Sequence, residues 1–357
     1  MTLIAAMRVN QIPIILGDLL ISRETKDDDL PSVSIPSLHS VNTYLGEDSQ
    51  LQVVGLSQKV NIISENFCIA WTGRKYQARA LIRHLHKKCG GRTVTVKEFK
   101  ELLDQYPIEK MDDLDCIAYL YDYETKGFWR KNRNIPMFEL DSLEDVQVGG
   151  TGTPKFIQTI ERIKDGHIEG EYTSLEESLG RVMGFTSTAF GNQVMKGEGI
   201  TEGWGGGFEV AYLRGKSFEK VSDVMHLFWT IRELDDGEFE IESSPRFIKS
   251  SYQGERLRIL VCDWSKDSGG DRLYVVDPLF DIDKSAPIEV PDTDYKWLIH
   301  FFHCKPLNNA EGFVTHVSRF GSDNRPIQIE VKSDRYQIKF EDAYIQKLIK
   351  DVVGSGY

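Results

Sequence analysis

A threonine follows the first methionine in Met1-Thr2-Leu3-Ile4-Ala5-Ala6-Met7-Arg8-Val9, and its chemistry depends on whether Met1 stays. With Met1 removed, Thr2 carries both a hydroxyl nucleophile and a free α-amine able to take the hydroxyl proton. An α-amine titrates near ~7.7–8.0, so part of it is neutral at pH 7, as a general base requires. With Met1 retained, the same nitrogen is an amide and has no basicity. Other reactive side chains do not group in this way. His300, His303, Cys304 and His316 are of metal-ligating type, but residues three apart on a strand face opposite sides. His84 and His86 diverge on a helix. No metal and no cofactor is expected. The five cysteines (Cys68, Cys89, Cys116, Cys262 and Cys304) include no CxxC pair. They indicate neither a zinc ribbon nor a disulfide framework, and suit a reducing, cytoplasmic compartment.

The 357 residues are 40% hydrophobic, enough for a sizeable core in one large domain or two ordinary ones. A net charge of −12 argues against a nucleic-acid backbone as the main partner. Arg8, Asn10 and Gln11 interrupt the opening apolar run before a signal-peptide core can form. No run approaches the ~18 apolar residues of a membrane span.

The elements that must position Thr2 are mostly strands. Residues 2–9 and 12–17 read as a hairpin, and 59–63 and 67–71 as a second strand pair. Residues 24–58 are polar, proline-containing and aperiodic in their first half, and read as a long surface loop. Helices are expected at 75–88 and at 96–105, the latter capped by Thr95. Residues 116–121 and 127–130 read as a strand and its hairpin partner, followed by a helix over 154–164. A further helix starts at a Ser174/Glu177 capping box and runs to about 190. After the strand 208–213, a helix is expected near 217–232, then short strands at 257–262, 272–276, 297–302, 313–317, 327–331 and 336–340, and a last helix over 341–352.

Four short motifs carry more specific information. Ile14-Ile15-Leu16-Gly17-Asp18 places an aspartate 16 residues after Thr2. Lys59-Val60-Asn61-Ile62-Ile63 leads, 14 residues after Lys59, to Gly73 of Ala70-Trp71-Thr72-Gly73. Gly150-Thr151-Gly152 sits between a strand and a helix, and Glu202-Gly203-Trp204-Gly205-Gly206-Gly207-Phe208 precedes a late strand. Each has a plainer reading alone: a turn aspartate, a strand-edge lysine, a turn glycine, or a phosphate loop that lacks the Lys-Ser/Thr of a P-loop.

Taken in order, these motifs resemble the proteasome β-subunit family and its HslV-like members, which are N-terminal nucleophile hydrolases. The resemblance runs discontinuously over about residues 2–213. It implies that Thr2 is the nucleophile, that Lys59 lowers the pKa of its hydroxyl, that Asp18 supports Lys59, and that the N–H of Gly73 stabilises the oxyanion. It implies further that Thr151 positions the terminal amine, that Glu202 replaces an aspartate, and that Ser22, Trp71 and Thr72 adjoin the substrate. Trp71 stands where the specificity pocket has its floor and would narrow it. Two departures stand out. Gly205 occupies the place of a serine whose hydroxyl supports the amine. The interval from Asp18 to Lys59 is 41 residues, which makes 24–58 an insertion.

The fold expected on this resemblance is α+β: a four-layer αββα sandwich of the N-terminal nucleophile hydrolase type over residues 1–240, with a β-rich C-terminal extension over 241–357. The function it implies is amide-bond hydrolysis of a peptide or protein by a threonine-type peptidase, in a homo-oligomer. A second reading is an inactive proteasome-like scaffold or sensor that binds a protein partner through the 24–58 loop or the C-terminal extension.

Overall fold

The computed structural model describes residues 2–24, 33–45, 49–107, 111–140, 143–163, 173–234, 238–243, 245–263, 270–305, 312–320, 325–332 and 335–353. Met1 and parts of the expected insertion (25–32 and 46–48) lie outside the described residues.

The hairpin of β1 (Ile4–Val9) and β2 (Ile12–Asp18) turns through Asn10 and Gln11, at φ of 49° and 67°. Positive φ at both central residues matches the turn to the twist of the strands. β3 (Leu20–Glu24) pairs with β4 (Leu51–Leu56), so the 24–58 segment is not one free surface loop. Its Ile35, Leu38 and Val41 are buried with Leu20, Val53 and Ile200. β5 (Val60–Ser64), β6 (Phe67–Gly73), β7 (Leu114–Asp122) and β8 (Gly127–Arg133) make a four-stranded antiparallel sheet. Between β6 and β7 run α1 (Lys75–Cys89), closed by Gly90 at φ 58°, and α2 (Val96–Asp104), opened by a Thr95/Glu98 capping box.

β9 (Met137–Leu140) and β10 (Leu143–Gly149) bring the chain back beside β1. α3 (Thr153–Arg162) and α4 (Ser174–Lys196) follow; the capping box of α4 is Thr173/Glu176, one residue before the expected Ser174/Glu177 pair. β11 (Phe208–Arg214) and β12 (Ser217–Lys220) complete a six-stranded sheet ordered β12-β11-β2-β1-β10-β9. The remaining strands are β13 (Val224–Glu233), β14 (Phe239–Ile241), β15 (Arg246–Gln253), β16 (Arg256–Cys262), β17 (Arg272–Val276), β18 (Trp297–Lys305) and β19 (Gly312–Arg319). They form a seven-stranded sheet, antiparallel except where β13 runs parallel to β18. The hairpin of β20 (Ile327–Lys332) and β21 (Arg335–Phe340) and α5 (Asp342–Val352) end the described fold.

The four-layer αββα sandwich expected from the sequence is not formed. Of the described residues, 45% are strand and 24% helix, in several separate sheets. The expected helix near 217–232 is instead β12 and β13. Along β13, Met225, Leu227, Trp229 and Ile231 enter one core while Val224 and Phe228 enter others on the opposite face. A strand buried on both faces reads as a near-continuous apolar run, which periodicity does not separate from a buried helix. Once β13 is a strand, it seeds the seven-stranded sheet, and that sheet covers α4. The six-stranded sheet contributes Leu3, Ala5 and Leu16 to one core with Val182 and Phe185 of α4 and with Val224, Ile299 and Val317 of the seven-stranded sheet. α4 is therefore an interior helix between two sheets rather than an outer layer.

The other face of the six-stranded sheet packs Ile4, Ala6 and Ile15 against Val60, Cys68, Ala70 and Ile117 of the four-stranded sheet. α1 and α2 cover the far side of the latter, with Trp71 and Phe67 against Ala78, Leu81 and Phe99. No helix among the described residues is long and apolar enough to cross a membrane.

Two glycines of α4 test its interior position. A Cβ on Gly191 would fall 2.1 Å from the buried Phe301 ring of β18, whereas one on Gly184 would meet nothing within 4 Å. Gly191→Leu is expected to lower unfolding stability by about 1–3 kcal/mol through overpacking. Gly184→Ala is expected to raise it by roughly 0.5–1 kcal/mol, the usual gain in a helix interior. Urea denaturation of both variants checks the pair.

Candidate active site

Asp18 closes β2, where strand order sets three chain segments side by side: the start of β1, the turn into β3, and the glycine loop before β11. Its carboxylate is completely buried and accepts from all three. Oδ1 takes the Thr2 hydroxyl at 2.7 Å, the Leu3 N–H at 2.8 Å and the Lys59 ammonium. Oδ2 takes the N–H of Gly205 at 2.7 Å and of Leu20 at 3.2 Å. The Lys59 ammonium, also completely buried, donates in addition to the Leu20 carbonyl at 2.7 Å. Thr2 and Lys59 thus share one oxygen of one carboxylate, and both line an open cleft of about 1000 Å³. Burial pushes the pKa of Lys59 below the usual lysine value, against the opposing pull of Asp18.

The Thr2 nitrogen lies 3.3 Å from Thr151 Oγ1, which in turn donates to the Glu202 carbonyl at 2.6 Å. The Thr151 hydroxyl proton is therefore committed to Glu202, which leaves its oxygen to accept from the Thr2 nitrogen. The turn that carries Thr151 needs its glycines. Gly150 has φ 96°, and a Cβ there would fall 2.0 Å from the Thr2 carbonyl; Gly152 donates its N–H to that same carbonyl at 3.3 Å.

Gly73 ends β6 at φ 108° and lines the cleft with Thr2. A Cβ there would strike the Asp113 carbonyl at 1.9 Å, so only glycine fits. Ser22 lines the cleft and donates to the Gly203 carbonyl at 3.4 Å. Trp71 also lines it, and its indole N–H donates to the Gln58 carbonyl at 3.2 Å. Thr72 is buried and lies outside the cleft lining. Glu202 enters the site through its backbone carbonyl; its Oε2 is buried without a hydrogen-bond partner among the described residues.

Two buried polar residues that the sequence reading passed over hold this arrangement. Gln193 of α4 donates to the Trp204 and Glu198 carbonyls at 3.0 Å and accepts from the Gly206 N–H at 2.6 Å, fixing the glycine loop. Glu209 of β11 accepts the N–H groups of Lys59 and Val60 at 2.5 Å, and also bonds Lys220 and Tyr252. A signal for Glu209 existed: it stands in period-two register with Ala211 and Leu213, which face the inter-sheet core. An acid on that face needs partners. Gln193 had no comparable signal, because α4 is buried on nearly every side.

The arrangement can hold a hydroxyl nucleophile beside a buried cation, with a second hydroxyl on the adjacent nitrogen. Its central ion pair is also structural. Asp18→Ala leaves the Lys59 charge buried and uncompensated, and is expected to cost about 3–5 kcal/mol. Adding Lys59→Met should restore much of that loss. In the Asp18→Ala protein the folded state releases the Lys59 proton before the unfolded chain does. The unfolded state then binds more protons, so stability should rise with pH toward the ordinary lysine range near ~10.4. Urea titrations at several pH values check both the magnitude and the sign.

No family model matches this chain, and no curated protein matches it significantly.

Proposed function

We propose that this chain is a threonine-type amide hydrolase in which Thr2, freed of Met1, is the nucleophile. The observation that carries this reading is the set of bonds converging on Thr2 at the edge of the cleft: its hydroxyl on Asp18, Asp18 on Lys59, and its nitrogen on Thr151. The Thr2 hydroxyl, which donates to Asp18 in the free protein, turns its proton to the neutral Thr2 amine as Oγ1 attacks the amide carbon, and Thr151 keeps that amine in place. The cationic Lys59 favours the developing alkoxide. The Gly73 N–H serves the oxyanion, and the proton on the amine passes to the leaving nitrogen. Water then cleaves the acyl-enzyme ester, again with the α-amine as base. The substrate is a peptide or protein, and the active form is a homo-oligomer.

Activity should disappear in Thr2→Ala and persist in Thr2→Ser, read as release of a fluorophore from peptide amides. The rate should rise with pH through about 7–8 as the α-amine loses its proton, since only the neutral amine is a base. Intact mass of the purified protein is the companion measurement.

One observation favours a second reading, a non-catalytic binding scaffold. Gly205 meets Asp18 through its backbone N–H and has no hydroxyl of its own, so Thr151 alone supplies a hydroxyl to the Thr2 nitrogen among the described contacts. Quantitative retention of Met1, together with unchanged function in Thr2→Ala, would select the scaffold.

A further inference from the structure

The charge of the cleft runs against that of the chain. The protein carries −12 overall, yet the cleft wall near Thr2 presents Arg23, Arg74, Lys75 and Arg79 against Glu24 and Asp113. Arg74 is neutralised by Asp113 at 2.9 Å. That leaves three cations facing one carboxylate. Lys75 and Arg79 lie one turn apart on α1, a like-charged pair at a spacing where such pairs repel. Neither makes an ion pair among the described residues. The acids of the adjoining groove, which the same two side chains line, are committed elsewhere: Asp277 to Arg256 and Lys284, and Asp281 to Arg83.

Two uncompensated cations on one wall destabilise the free protein slightly and favour an anionic occupant. Lys75 is also close enough to the reacting centre to act on the Lys59 charge. Its own ammonium is held below the usual lysine pKa, first by partial burial and then by Arg79, although much of the side chain stays exposed. Trp71 lines the cleft and is itself completely buried, its ring packed against α1. A substrate side chain ending in a carboxylate meets donors at the wall that Lys75 and Arg79 line.

From this we infer that the cleft selects peptides with an acidic side chain on the acyl side of the scissile amide, and that Lys75 and Arg79 are the specificity-determining residues. The placement of that side chain beside a cleaved bond rests on the amide-hydrolase reading; the binding preference does not.

The test uses two peptide amides that differ only in Glu or Gln at the acyl residue. Binding is measured by fluorescence anisotropy at low salt on the full-length Thr2→Ala protein, and cleavage on the wild type. The Glu peptide should bind about tenfold or more tightly than the Gln peptide, the range for an added charge-assisted hydrogen bond. That preference should shrink to within about twofold in Thr2→Ala/Lys75→Gln/Arg79→Gln and survive in Thr2→Ala/Lys75→Arg. Equal binding of the two peptides to Thr2→Ala overturns the inference, as does a preference untouched by the Lys75 and Arg79 substitutions. Cleavage reports separately. Glu-selective binding with no cleavage by wild type defeats the hydrolase reading and leaves the acid-binding cleft standing. Cleavage without a Glu preference does the reverse.

Discussion

The site depends on the carboxylate of Asp18 having no access to water. An ionised carboxyl in that position is tolerable only when donors satisfy both oxygens, and five do: two side chains and three backbone N–H groups. Those donors belong to segments that are remote in sequence, at residues 2–3, 20, 59 and 205. The same demand that makes the charge stable therefore fixes the relative positions of the hydroxyl, the ammonium and the glycine loop. Geometry for chemistry and compensation for burial are one requirement here.

Around that centre, backbone groups do much of what side chains were expected to do. Gly205 offers an N–H to Asp18, and Glu202 a carbonyl to Thr151. Gly150 permits the approach of the Thr2 carbonyl. Such contacts require loops held rigidly, and the stiffness comes from Gln193 and from the paired backbone bonds of Leu19 and Leu20 to the glycine loop. Because a backbone contact survives changes of side chain, the type of residue at 202 or 205 says less about the site than the path of the chain does.

This explains what could be read in the sequence. Thr2, Asp18, Lys59, Gly73 and Thr151 were legible from type and spacing, and the structure gathers them at one place. Short amphipathic elements with clear caps, such as α1 and α2, were legible as well. The αββα architecture was not, because its failure turns on β13, whose two buried faces give an apolar run with no period to distinguish strand from helix. Thr72 lies outside the cleft lining because alternation along β6 puts it on the face opposite Trp71 and Gly73. Glu202 was assigned by its side chain and participates by its carbonyl, a distinction no sequence pattern carries.

Gln58, next to Lys59, donates to the carbonyls of Glu255 and Val276, both at 2.7 Å. Glu209, which grips the Lys59 backbone, also bonds Tyr252. The lysine at the centre of the site is thus anchored partly by strands that leave the ribosome some two hundred residues after it. During synthesis the backbone that presents the Lys59 ammonium to Asp18 waits for contacts made far later. Contacts this distant in sequence form slowly. The order of synthesis therefore leaves the Thr2–Asp18–Lys59 cluster without its full support until the strands that hold Gln58 and Glu209 have been made.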